Sequence, residues 1–118
     1  MTKYRNQKVE YAGHVFDSLK ERDRYIELDL LQKVGRIFNL KLQPKYELLP
    51  AQKGERAITY IADFAYDEKY WTSDPPPREV YRRVVEDVKS KPTRTESYVI
   101  KRKLFKSKYD WIEFREVL

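Results

Sequence analysis

Cysteine is absent from this 118-residue chain. Disulfide scaffolds, thiol nucleophiles and cysteine-ligated zinc are therefore excluded. Histidine occurs once, as His14. A multi-histidine metal site would need a second chain, and a Ser-His-Asp triad would have to use that one residue. No apolar run approaches the roughly 20 residues that span a bilayer. Met1-Thr2-Lys3-Tyr4-Arg5 has no apolar stretch behind it, so no signal peptide is expected and the expected compartment is the cytoplasm. Internal repeats are lacking, and so are low-complexity tracts apart from Pro75-Pro76-Pro77. The length suits one domain, residues 1–118, and leaves no room for two.

What is abundant is charge and aromatic surface. Charged residues make up 37% and hydrophobic residues 41% of the chain, which suits a folded soluble domain better than a disordered one. Ten tyrosines and two tryptophans supply rings that can build a modest core or lie against a flat partner. Lys plus Arg is 25 against 19 for Asp plus Glu, a net charge of +6. That excess favours an acidic partner such as nucleic acid, although many basic proteins bind none.

Residues 1–12 read as an extended basic arm. Ser18 followed by Glu21 has capping-box spacing. Leu19, Ile26, Leu30 and Val34, helped by the stems of Arg22, Tyr25 and Lys33, then trace a helical stripe that ends at Gly35, the expected left-handed cap. Ile37–Gln43 alternates as a strand that Pro44 ends or bends, and Tyr46-Glu47-Leu48-Leu49 could extend it. Ala51–Arg56 is turn-like. Ala57–Tyr66 is dense in β-formers and reads as one strand. Residues 67–79 are charged and then proline-rich, a loop or mobile hairpin tip. Glu79–Lys89 reads as a third strand. Pro92 breaks the chain, Thr93 and Glu96 repeat the capping-box spacing, and Tyr98, Ile100 (or Lys101), Leu104 and Phe105 mark a helix to about Ser107. Trp111–Val117 alternates as a last strand. The expected class is α/β, in the order helix, three strands, helix, strand.

Several acidic residues sit where acids are costly. Asp63 falls inside the most apolar strand, where an isolated carboxylate needs an ion pair, hydrogen bonds or a metal. The plain alternative is a strand-end Asp in a salt bridge. Asp87 and Lys89 are two apart on the third strand and share a face, while Val84 and Val88 share the other. Taken alone they fit a solvated Asp-Lys pair. If a wide loop brings Asp63 and Asp87 together, two carboxylates and a lysine make a site for a hard divalent cation, Mg2+ or Mn2+. Such a cation polarises a phosphoryl oxygen, and a lysine beside it orients water. Glu21 could face the sheet and complete the site, or serve only as the capping-box carboxylate.

Glu21 on the first helix, Asp63 on the second strand and Asp87-Val88-Lys89 on the third together resemble the PD-(D/E)xK nuclease superfamily, whose core order αβββαβ is the one read above. More closely, Phe16-Asp17-Ser18-Leu19-Lys20-Glu21, Leu42-Gln43-Pro44-Lys45-Tyr46, Tyr60-Ile61-Ala62-Asp63-Phe64 and Val85-Glu86-Asp87-Val88-Lys89 look like a small, phage-encoded, mostly uncharacterised family within it. The resemblance covers roughly residues 16–117. It implies a restriction-endonuclease-like core with a central mixed sheet flanked by helices. It also implies a Mg2+-dependent phosphodiesterase acting on DNA, with Glu21, Asp63, Asp87 and Lys89 in the four catalytic places. Ala62 stands where the superfamily motif has proline. Glu86 competes with Asp87 for the acidic place, and the two-residue spacing to Lys89 favours Asp87. Relatives in the superfamily include restriction enzymes, transposase subunits and Holliday-junction resolvases, so branched DNA is the preferred expected substrate.

From Lys89 to Lys108 eight cations stand against the single Glu96. Helical spacing groups Arg94, Lys101 and Lys108 with Tyr98, and with Lys91 these could hold phosphates without choosing sequence. A merely solvated helix face is the alternative. Gln43 could contact DNA, or bond the backbone at its strand end. Symmetric cutting of two strands calls for two sites, so a homodimer is expected, with the last strand as one possible edge. The competing readings are an accessory DNA-binding protein that keeps the fold without cutting, and a structural phage protein.

Overall fold

The computed structural model describes residues 7–90 and 94–118. In chain order the elements are β1 (Val9–Tyr11), β2 (His14–Phe16), α1 (Leu19–Lys33), β3 (Ile37–Leu42), β4 (Lys45–Leu49), β5 (Ile58–Ile61), β6 (Phe64–Trp71), β7 (Glu79–Val88), α2 (Glu96–Lys108) and β8 (Glu113–Val117). The class is mixed α/β, with more strands than helices. The main sheet runs β3-β6-β7-β8. Its first two pairings are antiparallel and β7-β8 is parallel. Joining two parallel strands needs a long crossover, and α2 provides it. β1-β2 and β4-β5 form separate two-stranded ribbons. No helix among the described residues is long and apolar enough to cross a membrane.

Strand alternation divides the core between the two faces of the main sheet. Phe64, Tyr66 and Val84 point to one face and pack with Tyr25 and Leu28 of α1, Phe16 and Ile37. Ala65 and Val85 point to the other and pack with Tyr98 and Phe105 of α2, and with Leu48 and Tyr60 of the β4-β5 ribbon.

Helix α1 begins where the capping signal places it. Ser18 is extended and its hydroxyl accepts the Glu21 N–H at 3.1 Å. Past its other end, Gly35 takes a φ of +79°, and the Arg36 N–H returns to the Leu31 carbonyl at 2.9 Å. The face is another matter. Glu21, Tyr25 and Leu28 are the buried residues. The expected core stripe is exposed, with Leu30 at 60% and Val34 at 63%. The helix is apolar on two opposite sides, and aliphatic count alone selected the outer one. Tyr25 wins the inner side because it can stack on Phe16 and Phe64, with centroids 5.2 and 6.4 Å away.

Four other expectations are corrected. Within the expected arm, residues 1–6 lie outside the described residues, and Val9–Tyr11 pairs antiparallel with His14–Phe16 through a turn at Ala12-Gly13. The strand expected over 57–66 is two strands, broken at Ala62-Asp63 as the chain leaves the β4-β5 ribbon for the main sheet. The loop expected over 67–79 shrinks, because β6 runs on to Trp71 and pairs with β7. Asp67 faces Arg83 and Glu68 faces Arg82 in that register, so charges that suggested a loop are cross-strand partners. Finally, α2 is capped by Thr95, whose side chain accepts the Tyr98 N–H at 3.1 Å. Pro92 and Thr93, read as its break and cap, lie outside the described residues.

Candidate active site

Three elements deliver acids to one end of the main sheet. Asp63 sits at the junction of β5 and β6, held between its neighbours. Its N–H donates to the Glu86 carbonyl at 3.1 Å, and its own carbonyl accepts the Gln43 N–H at 2.9 Å. The β6-β7 register pairs Phe64 with Glu86, so the next position sets Asp63 opposite Asp87. The loop 72–78 that joins β6 to β7 brings them together. The Asp63 carboxyl accepts the Val88 N–H at 2.7 Å.

Asp87 is buried and has two further partners. The Lys89 ammonium stands 3.1 Å from its Oδ1, and the Tyr60 hydroxyl of β5 donates to its Oδ2. Lys89 also lies 4.5 Å above the Tyr98 ring. Its backbone carbonyl accepts from Lys20 Nζ at 3.0 Å, which ties the end of β7 to the first turn of α1. Glu21 enters from that turn. It lines a cavity of 250 Å³ with Asp17, Ser18, Lys20, Asp63, Val88, Lys89 and Ser90.

The electrostatics follow from the crowding. Burial, then the charges of Asp87 and Glu21, push the Asp63 carboxyl up from 3.8 to about 8, against the smaller opposing pull of the Val88 N–H. Burial and the Asp17 charge, with a smaller push from Asp87, raise Glu21 from 4.5 to about 6. Burial and Asp87 drive the Tyr60 phenol well above its usual range. Burial and neighbouring negative charge thus disfavour the charged forms of Asp63 and Glu21. In this closed arrangement no group of three or more His, Cys, Asp or Glu side chains stands in metal-ligating geometry among the described residues.

Glu86 points the other way. It is fully buried under α1 and takes a two-pronged bond from Arg24, 2.8 Å from Nε to Oε1 and 2.6 Å from NH2 to Oε2, with the Tyr66 hydroxyl as a third donor. The period-two alternation thus gives the two neighbouring acids separate tasks. Glu86 anchors α1 to the sheet and Asp87 faces Lys89.

A family model described as a protein of unknown function, DUF1064, matches residues 1–117. The chain belongs to the DUF1064 family. No curated protein and no solved structure matches it.

The basic residues of this DUF1064 chain do not form one face. Arg94 and Arg102 both pair with Glu116, at 3.0 Å each, and the Tyr98 hydroxyl donates to the same carboxylate at 2.6 Å. Arg94 and Tyr98, expected as DNA contacts, are therefore engaged in fastening α2 to β8. Lys108 lies 4.0 Å from Glu47. Lys101 lines a second cavity beside Asp87 and Lys89. Lys91 lies outside the described residues. Gln43 lines a cavity shared with Glu21, His14 and Leu42, and its φ of +50° lets the chain turn from β3 into β4. Tyr60, Lys20 and Arg24 are site or site-supporting residues to which the sequence pattern gave no role, and Glu86, weighed there only as a rival to Asp87, is the partner of Arg24. Tyr60 reads only as a β-former in Ile58-Thr59-Tyr60-Ile61, and nothing in the pattern marks Lys20 or Arg24.

Proposed function

We propose that this DUF1064 chain is a metal-dependent DNA endonuclease with a PD-(D/E)xK-type core, hydrolysing phosphodiester bonds with Mg2+ or Mn2+. The observation that carries the reading is that Glu21, Asp63 and Lys89 line one cleft, with buried Asp87 opposite Asp63 in register and 3.1 Å from Lys89. The donor set fits a hard divalent cation. It offers three carboxylates, and two of them are held above their usual range by burial first and by neighbouring negative charge second, the latter a condition that a cation relieves. Asp63 and Asp87 would hold the ion and Glu21 would complete its shell. A bound ion there supplies the charge that polarises a phosphoryl oxygen and lowers the pKa of bound water.

The chain's own residues do the rest. Lys89, fixed between Asp87 and the Tyr98 ring, orients the attacking water and stabilises charge growing on the phosphate. Tyr60 and the Val88 N–H hold Asp87 and Asp63 against the sheet, so both acids stay in place. A homodimer supplies two such sites for paired cuts in branched or Holliday-junction DNA, in the cytoplasm of a host cell if the chain is phage-encoded.

The test is incubation with supercoiled, linear and four-way-junction DNA, with Mg2+, with Mn2+ or with chelator. The expected result is metal-dependent cleavage that Asp87→Asn abolishes. Binding without cleavage of any substrate would make the chain an accessory DNA-binding protein instead.

A further inference from the structure

Lys89 lines two cavities. One is the acidic cleft described above. The other, of 310 Å³, lies on the α2 side and is lined in part by Thr59, Ser97, Tyr98 and Lys101. Its chemistry is the reverse of the first. It offers hydroxyls and two ammonium groups, and its one carboxylate, Asp87, is already bonded to Tyr60 and Lys89.

We infer that this second cavity holds the phosphodiester adjoining the scissile one and reads the backbone without reading the base. The scissile position rests on the nuclease reading, whereas backbone binding in the cavity does not. A phosphate is the ligand that two ammonium groups and neutral hydroxyls suit. Base recognition lacks a platform. The Tyr98 ring is only 8% exposed, with Lys89 4.5 Å and Arg102 5.6 Å from its centre, so no free aromatic face remains for stacking. Of the cations of α2, Lys101 is the one that lines this cavity. Arg94, Arg102 and Lys108 face Glu116 or Glu47, and among the described residues Lys101 has no acidic partner. One strand would then pass over Lys101 and Lys89 and on into the acidic cleft.

The experiment is fluorescence anisotropy of short single-stranded and duplex DNA of several sequences, in chelator, at several salt concentrations, for the wild-type chain, Lys101→Ala and Arg94→Ala. Lys101→Ala should weaken binding about 3–10-fold and equally for every sequence, and should flatten the plot of log K against log salt by about 0.7–0.9. Arg94→Ala should leave the salt slope within error and lower thermal stability instead. A Lys101→Ala salt slope equal to the wild-type one overturns the inference. So does a loss confined to particular sequences, or a wild-type chain that binds no DNA. If the wild-type chain binds with this slope pattern yet cuts nothing in Mg2+ or Mn2+, the catalytic reading fails and the phosphate cavity stands.

Discussion

Removing the charge of Asp63 should make the metal-free protein more stable at alkaline pH. Burial and the neighbouring acids lift its carboxyl from 3.8 to about 8. The unfolded chain ionises that carboxyl near its ordinary value. Between about pH 4 and pH 8 the folded protein therefore keeps a proton that the unfolded chain has lost. The resulting stability is fully present below about pH 4 and is lost as pH rises through the folded value, with a limiting slope of about 1.4 kcal/mol per pH unit. Glu21, raised from 4.5 to about 6, adds slope in the lower part of that window. The full displacement sets a ceiling of roughly 6 kcal/mol for Asp63. Water entry and movement of Lys89 reduce the realised cost to about 2 kcal/mol. Asp63→Asn keeps the shape and an oxygen for the Val88 N–H while removing the titration. In chelator, scanning calorimetry should show the wild-type Tm falling by about 5–10 °C from about pH 5.5 to about pH 8.5, with the variant falling less and melting higher at the alkaline end. Saturating Mn2+ should restore the wild-type Tm there, because the cation binds the ionised set. A flat wild-type profile, or an Asp63→Asn protein that is less stable at both ends, would refute the reasoning.

Arg24→Ala strands the fully buried Glu86 and should cost about 3–5 kcal/mol in urea denaturation. Adding Glu86→Gln should recover part of the loss, and no recovery would mean that the pair is not what holds α1. Ser18→Ala removes the cap of α1 and should cost about 1 kcal/mol, read by the same denaturation. Phe105→Ala empties the contact among Tyr46, Tyr60, Tyr109 and Phe114 and should cost about 3–5 kcal/mol. Because Tyr60 belongs to that cluster, DNA cleavage should fall as well, even at temperatures where circular dichroism shows the chain folded.

Signals confined to a few neighbouring residues were legible in the sequence. Ser18 with Glu21 marks the start of α1, Gly35 marks its end, and the alternation of Ile37–Leu42 marks β3. The two-residue spacing of Asp87 and Lys89 puts them on one face, and the structure holds them 3.1 Å apart. Signals that depend on a distant partner were not legible. Asp67-Glu68 reads as loop until Arg82-Arg83 stands opposite in register. Tyr25 reads as ordinary helix until Phe16 and Phe64 surround it. The break at Ala62-Asp63 is hidden by β-formers on both sides, and only the change of sheet partner reveals it. Charge density from Lys89 to Lys108 suggested one phosphate-binding face, whereas Glu116 on β8 takes up two of that segment's cations, Arg94 and Arg102. Asp63 and Asp87, in contrast, stood out because each is flanked by apolar β-formers, where a carboxylate is costly without a partner.

The most direct test of the central claim is the initial rate of supercoiled-plasmid nicking in Mg2+ by the wild-type chain and by Asp87→Asn, purified identically and both shown to be folded. The account predicts nicking that chelator stops, and a loss of at least about 10²-fold in the variant. Equal rates in the two proteins, or nicking that continues in chelator, would contradict it.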